Sequence, residues 1–497
     1  MESLSDTKWD VVISGTGLQQ SLLALALSRS GKNILHIDPN QYYGQAEAAL
    51  SLQEVEEWAV EHQSASPNSV FSKVQVTKDG QGPASPRAYS LALAPQLVHT
   101  KAELISQLVS SKAFRQIEFL AVGSFYIFQP PSDSEPVASL SRIPSTREDV
   151  FSNTAIPAKS KRSLMKFLKF VLDYESEAQA ELWKPHADAP LVDFLKSQFK
   201  LDTKLQSYVI TLTLSHDGNI SVASGLAIIY KHMTSMGLFG AGFAAIYPKY
   251  GGLSEVAQVG CRAAAVGGAV YMLGTGMKKV SKPEGDDAEQ VLQIALTNDI
   301  DVQTKLLVQS TEKVNSDIQL SRLTAVVESS LSSVFNVVIE GAPTPAVAVV
   351  AFPPSSVSTK DGQVSTYPIY AMIHSSDTGE CPSSKCVVYL STVTSADSHG
   401  LLVEALSSLL STITIDGDAP SSSFQVYYEQ KTASSSVEVD GPIIRMPQSC
   451  LDLAFNDDVM NHVRAAWDAV TRADEATDGA GYMTFEDREG VDDDPFD

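Results

Sequence analysis

Apolar and polar positions change period several times along the 497 residues, and the changes divide the chain. WDVVIS and NILHID are short apolar runs flanked by polar residues, which predicts two strands. Between them GTGLQQSLLALALSRSG sets two glycines ahead of an apolar helix, so the first forty residues read as strand, glycine turn, helix and strand. From Glu61 to Pro86 Ser, Pro, Gly and Gln dominate, which predicts a surface loop. Helical spacing returns after Thr100, with Leu104, Ile105 and Leu108 on one face. Thr100 is the expected N-cap, and Glu103 three residues on completes a capping box. VGSFYIF follows as a strand.

Beyond Pro144 the pattern is helical, through LMKFLKFVLDYE, LVDFLKSQFK, LDTKLQSYVITLTLS and VASGLAIIYKHMTSM. Hardly any strand pattern intervenes, which predicts a helical domain at 144–240 inserted into a larger domain built from 1–143 and 241–472. After Ile246 short strands resume: GAVYML, AEQVLQIAL, KLLVQS, SSVFNVVIEG, AVAVVAF, YPIYAMIHSS, KCVVYLSTVT and SFQVYYEQ. A helix, HGLLVEALSSLLSTI, precedes the last of these, and another, DVMNHVRAAWDAV, ends the pattern. The fold class expected is α/β with α+β elements: a dinucleotide-binding-type domain with mixed sheets plus an all-helical insertion. The length exceeds one ordinary core, in keeping with two domains.

Charge and composition narrow the function. A hydrophobic share of 43% is that of a globular protein, and the net charge of -23 argues against nucleic acid and anionic membrane as direct partners. No apolar run approaches the length of a membrane span, and MESLSDTKWD lacks a basic and apolar leader. The expectation is a soluble cytoplasmic protein, with peripheral membrane association allowed. Cys261, Cys381, Cys386 and Cys450 are too few for a disulfide framework and lack the paired spacing of a zinc site, so no metal is expected. Ten carboxylates against one Arg fill Asp474 to Asp497, so 473–497 is expected to be a solvated, disordered tail.

Candidate chemistry begins at the glycine turn. Gly15 and Gly17 permit close backbone approach at a helix N-terminus where a pyrophosphate could bind, and Asp38 ends the second strand where a ribose-binding carboxylate belongs. Ser21 replaces the third glycine of that fingerprint. A second cluster follows Tyr250: Glu255, Gln258 and Arg262, at spacings of three and four, share one helical face. Gly267 and Gly268 then allow a turn into Tyr271 and Met272. By themselves these residues fit either a solvated surface pair or a row of donors and acceptors facing a partner. No Ser or Cys nucleophile motif and no G-x-x-x-x-G-K-[ST] loop occurs, so no catalytic residue is assigned.

Two segments carry a family resemblance. Pro39-Asn40-Gln41-Tyr42-Tyr43-Gly44 resembles the YYGG loop of the Rab GDP-dissociation inhibitor and Rab escort protein superfamily. Ile246 to Leu273 resembles that superfamily's segment reading approximately YPLYGxGELPQxFxRxxAxxGGxYxL. Tyr247, Pro248, Tyr250, Gly251, Glu255, Gln258, Arg262, Ala265, Gly267, Gly268, Tyr271 and Leu273 align after one inserted residue near Gly252, with Ala257 in place of Pro. These proteins look like flavoenzymes that hold no flavin, and this C-terminal region also lacks the Gly-Asp junction of flavin oxidases. The resemblance therefore implies a flavoprotein-like large domain with no cofactor and only vestigial roles for Gly15, Gly17 and Asp38.

It further implies that Tyr43, Glu255, Gln258, Arg262, Tyr271 and Met272 face the switch regions of a GDP-bound Rab GTPase. Leu97 to Leu108 is similar to the region that holds the extended Rab C-terminus. EDVFSNTAIPAKSKRSLMKFLKFVLDYE resembles the escort branch, in which an aromatic of this helix docks on the α subunit of the Rab geranylgeranyltransferase α/β dimer. Phe170 takes that role here. Lys184 stands nearest to the family's accompanying Arg, though an ammonium cannot make the planar bidentate contact. The implied function is escort of newly made Rab-GDP to the transferase and delivery of the geranylgeranylated product to membranes, as a non-catalytic component. The alternatives are a Rab GDP-dissociation inhibitor and, more distantly, an FAD-dependent oxidoreductase.

Overall fold

A computed structural model describes the chain except residues 1–3, 65–68, 81, 134, 145–146, 154–155, 282–290, 312–318, 415–418, 433–435, 449–450, 473–480 and 487–497. It opens as β1 (Lys8–Ser14), α1 (Leu18–Leu27) and β2 (Ile34–Asp38), with β1 and β2 parallel. Two later strands, β3 (Val270–Leu273) and β4 (Asp301–Ser310), join in parallel, β3 beside β2 and β4 beside β1. Then β5 (Ile443–Met446) pairs in parallel with the far half of β4. Antiparallel strands Leu292–Leu296 and Met277–Ser281 extend the sheet past the near half of β4.

A second, mixed sheet runs in the order Phe71–Lys78, Ser422–Lys431, Gln319–Val327, Cys386–Val393, Ile369–Ser375, Val347–Phe352, Phe119–Gln129, Ala245–Pro248 and Val98–His99. Helix α2 (Leu52–His62) precedes the first strand of this sheet in sequence, and α3 (Glu103–Ser110) lies between its strands Val98–His99 and Phe119–Gln129. Six helices then follow one another between the strands Ser139–Arg142 and Ala245–Pro248: α4 (Arg147–Ser152), α5 (Ala158–Leu172), α6 (Glu177–Trp183), α7 (Leu191–Phe199), α8 (Thr203–Thr213) and α9 (Val222–Ser235). Their apolar faces do not close on themselves. One buried cluster runs from Phe167, Phe194 and Leu226 to Trp58, Phe71 and Phe424 of the large part.

α10 (Leu253–Val266), α11 (Ser398–Ile413) and α12 (Asp458–Thr471) complete the α-helices among the described residues. α1 packs against both α10 and α12, and every residue of α1 is buried. This is why LLALAL is apolar all round rather than striped. Among the described residues no helix is long and apolar enough to cross a membrane.

Four sequence expectations are corrected. Phe71–Lys78, inside the expected loop, is a strand: it pairs with Ser422–Lys431 at the sheet edge across a register shift, and buries Phe71 and Val74. SSVFNVVIEG forms no strand: Ser332–Val334 is a short helical turn, and Val337 and Val338 are exposed. α3 starts at Glu103, where the amide donates to Asp457 Oδ1 at 3.0 Å, while Thr100 Oγ1 donates to the Ser235 carbonyl at 2.7 Å. The capping box is instead at Ser51 and Glu54, opening α2.

The fourth correction concerns the acidic end. Residues 473–480 and 487–497 lie outside the described residues, but within 481–486 Met483 is fully buried and the Phe485 amide donates to the Ser110 carbonyl at 3.0 Å. Aromatic and Met side chains supply apolar area that the surrounding carboxylates lack.

Candidate functional site

The glycine turn forms as expected, with Gly15 at φ +101 and Gly17 capping α1. Its surroundings are filled by the chain itself. The Gln45 side chain lies 2.5 Å from where a Cβ on Gly15 would stand and 3.0 Å from one on Gly17. Glu47, buried at 4% exposure, accepts the Leu18 amide at 3.4 Å, so a carboxylate already meets the positive end of α1. Asp38 Oδ2 accepts both the Thr16 amide at 2.6 Å and Thr16 Oγ1 at 2.8 Å, and Oδ1 accepts the Asn40 amide at 2.8 Å. Burial raises the Asp38 pKa, against the pull of these bonds.

The cavity left beside this turn, lined by Gln19, Asn40, Tyr42, Gln45, Glu47 and Trp58 among others, measures about 220 Å³. Small-molecule sites usually span roughly 300–1,000 Å³. A pyrophosphate would have to displace Gln45 and sit against the Glu47 carboxylate. These residues do not fit a dinucleotide.

The same turn seats the tyrosine loop. Gly44, at φ +100, donates to the Thr16 carbonyl at 3.1 Å, and a Cβ there would stand 3.0 Å from Ala48 Cα and 3.3 Å from Ser254 Oγ. The loop is thereby pressed on the first turn of α10. Tyr42 turns inward against the apolar cluster, whereas Tyr43 is only partly buried, close enough to Arg262 to feel its charge. Burial raises the Tyr43 pKa, and Arg262 opposes the shift.

α10 divides as its spacing predicts. Val256, Val259, Gly260 and Cys261 are buried. Gly260 is required because a Cβ would come 2.6 Å from the Ser21 carbonyl of α1. Here the close approach expected at the third fingerprint glycine is made by the partner helix, and Ser21 Oγ donates back to the Thr16 carbonyl at 2.9 Å. On the other face Glu255 and Gln258 are half-buried and Arg262 is exposed. Burial raises the Glu255 carboxyl, offset by Arg262. Arg262 Nη1 donates to Gln116 Oε1 at 3.4 Å, and Gln258 Nε2 lies 3.5 Å from Ser254 Oγ. The Tyr271 ring lies tilted 4.7 Å from that of His36, beside Cys261, and burial pushes its phenol well up.

Tyr43, Glu255, Gln258, Arg262 and Tyr271 therefore converge. Met272 does not join them. Successive strand residues point to opposite faces, so Tyr271 packs with the α1 side and Met272 with Trp9, Val12 and Leu35 on the other.

Phe170, the expected transferase contact, is buried, with ring centroids 5.0 Å from Phe199 and 6.0 Å from Phe194. Its spacing with Phe167 and Val171 marks the core face of α5. Lys184 is exposed at the end of α6. In Leu97 to Leu108 the apolar residues Leu97, Leu104, Ile105 and Leu108 are all buried, so this stretch offers no open apolar face.

Sequence reading missed the support beneath α10. Buried Glu380 accepts Tyr247 Oη at 2.7 Å and Tyr389 Oη at 2.9 Å and pairs with His374 Nδ1 at 2.8 Å. Tyr250 donates its amide to Thr378 at 2.8 Å, and a Cβ on Gly252 would meet Tyr247 Oη at 2.6 Å. The turn that aims α10 is thus bolted to the second sheet.

The family model described as GDP dissociation inhibitor matches residues 5–414. The chain belongs to the GDP dissociation inhibitor family. It is 33% identical over 395 residues to the Rab proteins geranylgeranyltransferase component A of Saccharomyces cerevisiae, covering 78% of this chain and 61% of that protein. Rab escort protein 1 of Arabidopsis thaliana is 26% identical, over 82% of this chain and 81% of that one. The chain spans about three fifths of the length of the two yeast component A proteins it matches, from S. cerevisiae and Candida albicans. In fold it is similar to a Rab GDI of Plasmodium falciparum (TM-score 0.66, 17% identity, 93% of this chain and 97% of that one) and to an oxidoreductase of Methanosarcina mazei (TM-score 0.56, 12% identity, 92% and 99%). A flavoprotein-like α/β fold with mixed sheets and inserted helices is thus shared across the family and with oxidoreductases.

Proposed function

We propose that the chain is a Rab escort protein, a non-catalytic component that binds newly made Rab-GDP through Tyr43, Glu255, Gln258, Arg262 and Tyr271. The convergence of the tyrosine loop with the polar face of α10, two segments more than 200 residues apart, carries the reading. A rigid helix presenting carboxylate, amide and guanidinium holds donors and acceptors in fixed positions, and Tyr and Arg are enriched at interface centres. Relatives named as geranylgeranyltransferase component A and as Rab escort protein support the same role.

The escort presents the Rab C-terminal cysteines to the α/β transferase, with exposed Lys184 as one contact, and carries the geranylgeranylated product to membranes. A lipid of about twenty carbons needs protein cover in water, since each buried CH₂ is worth about 0.8 kcal/mol. Reconstituted transfer tests this. With the α/β dimer, geranylgeranyl diphosphate and Rab-GDP, prenylation is expected to depend on addition of this protein. No transfer, with extraction of prenylated Rab from membranes retained, would instead establish a Rab GDP-dissociation inhibitor. The burial of Phe170 favours that second reading, because an inhibitor needs no transferase contact.

A further inference from the structure

The cavity beside the glycine turn has the wrong polarity for a phosphate and a definite polarity of its own. Gln19 Nε2 donates to the Pro447 carbonyl at 3.0 Å, and Gln448 Nε2 donates to the Thr311 carbonyl at 3.1 Å. A carbonyl only accepts, so both amides are fixed with their nitrogens spent inside the protein and their oxygens left over. Gln19 Oε1 is buried, on a residue 4% exposed, and has no hydrogen-bond partner. Gln20 Nε2 is engaged by Ser310 Oγ at 2.6 Å, and the Asn40 side-chain amide bonds to Asp38. His62 Nδ1 donates to the Trp58 carbonyl at 2.8 Å, which makes Nε2 an acceptor in the neutral ring.

The charges agree with this pattern. The buried Glu47 carboxylate lines the cavity, and among the described residues that line it there is no Lys or Arg. Burial raises the pKa of the Tyr42 phenol, and the charges of Asp38, Glu61 and Glu54 push it further the same way, so the potential at this wall is negative. Trp58, Val70 and Phe71 supply the apolar part of the lining. A volume of about 220 Å³, against the ~30 Å³ that a water occupies in the liquid, admits a molecule of a few heavy atoms. Fixed acceptors, a carboxylate and an apolar wall together call for a ligand with a donor-only cationic head and a short hydrocarbon chain.

We propose that this cavity, placed where dinucleotide-binding proteins hold a pyrophosphate, is a binding site for a small primary alkylammonium. Glu47 and the Gln19 and Gln448 oxygens take the head, and the chain lies against Trp58 and Phe71. This stands independently of the GTPase reading, since it concerns a different site and a different class of ligand.

Calorimetric titration of the full chain with n-butylammonium chloride tests the proposal. Sodium butyrate and butan-1-ol serve as the matched anionic and neutral probes, and potassium chloride as the ionic-strength control. Butylammonium is expected to saturate one site and to bind at least about tenfold more tightly than either matched probe, because it alone brings both a positive charge and three donors. Glu47→Gln should weaken its binding at least about tenfold, and Gln448→Met, at a half-buried position, at least about threefold. No saturation by about 10 mM butylammonium, or equal binding of the three probes, would overturn the proposal. So would parent affinity in both variants, which would put the ammonium on a carboxylate elsewhere. The comparison of probes uses the parent alone, so it decides the matter even if Glu47→Gln, which also loses the charged acceptor of the Leu18 amide, does not fold.

Discussion

Acidification from pH 7 to pH 5 is expected to remove about 6 kcal/mol of folding stability, on the order of the whole margin of an ordinary domain. His36, His216 and His232 are buried, and burial lowers each pKa from 6.5 to about 4. His99 is likewise held well below its ordinary value, by burial and by neighbouring His232 and Lys231. One ring nitrogen of each lacks a hydrogen-bond partner, and desolvation of the imidazolium outweighs the bonds of His36 to the Gly15 carbonyl and of His216 to the Leu451 carbonyl. The sign follows from proton binding: between pH 6.5 and 4 the unfolded chain takes up protons that the folded chain refuses. Stability is therefore fully present above pH 6.5 and declines as pH falls toward 4. Each of the three costs about 2 kcal/mol at pH 5. Denaturant midpoints at pH 7, 6 and 5 measure the decline, and a flat profile would mean that these histidines are protonated in the fold. His36 lies under Tyr271 and His232 joins α9 to His99, so the loss should reach both the proposed interface and the helical region.

Phe170→Ala is expected to lower unfolding free energy by about 3 to 5 kcal/mol, as removal of a buried aromatic does when its surroundings cannot collapse. Phe199 and Phe194 both rest on this ring, and Lys166 lies over Phe199 at 5.8 Å, so the cavity would open where α5 meets α7. Rab affinity and any support of prenylation should fall together with the melting temperature. Unchanged melting with selective loss of transferase stimulation would instead show that Phe170 meets the transferase directly.

What could be read from the sequence was local or strictly spaced. The β1–α1–β2 unit announced itself because glycines, an apolar helix and two short strands lie within forty residues. Glu255, Gln258 and Arg262 shared a face because helical geometry demands it, and the tyrosine loop was placed beside them by its resemblance. Features settled by tertiary packing were not legible. Glu47 reaches the start of α1 only because the tyrosine loop folds back over the glycine turn, and Asp457 caps α3 across 354 residues. Helical spacing showed that Phe170 belongs to an apolar stripe but not that α7 covers it. The burial of Met483 within an acidic stretch was not legible either, because Leu104, Leu108, Val459 and Val463 around it come from distant parts of the chain.

The affinity of the full chain for a GDP-bound Rab, measured by titration for the parent and for Tyr43→Ala and Arg262→Ala, tests the central claim most directly. The parent should bind, and each variant should weaken binding by about 1 to 4 kcal/mol with melting unchanged, because both side chains sit at the centre of the proposed face and neither fills the core. Equal affinity for parent and both variants would place the Rab elsewhere and contradict the account.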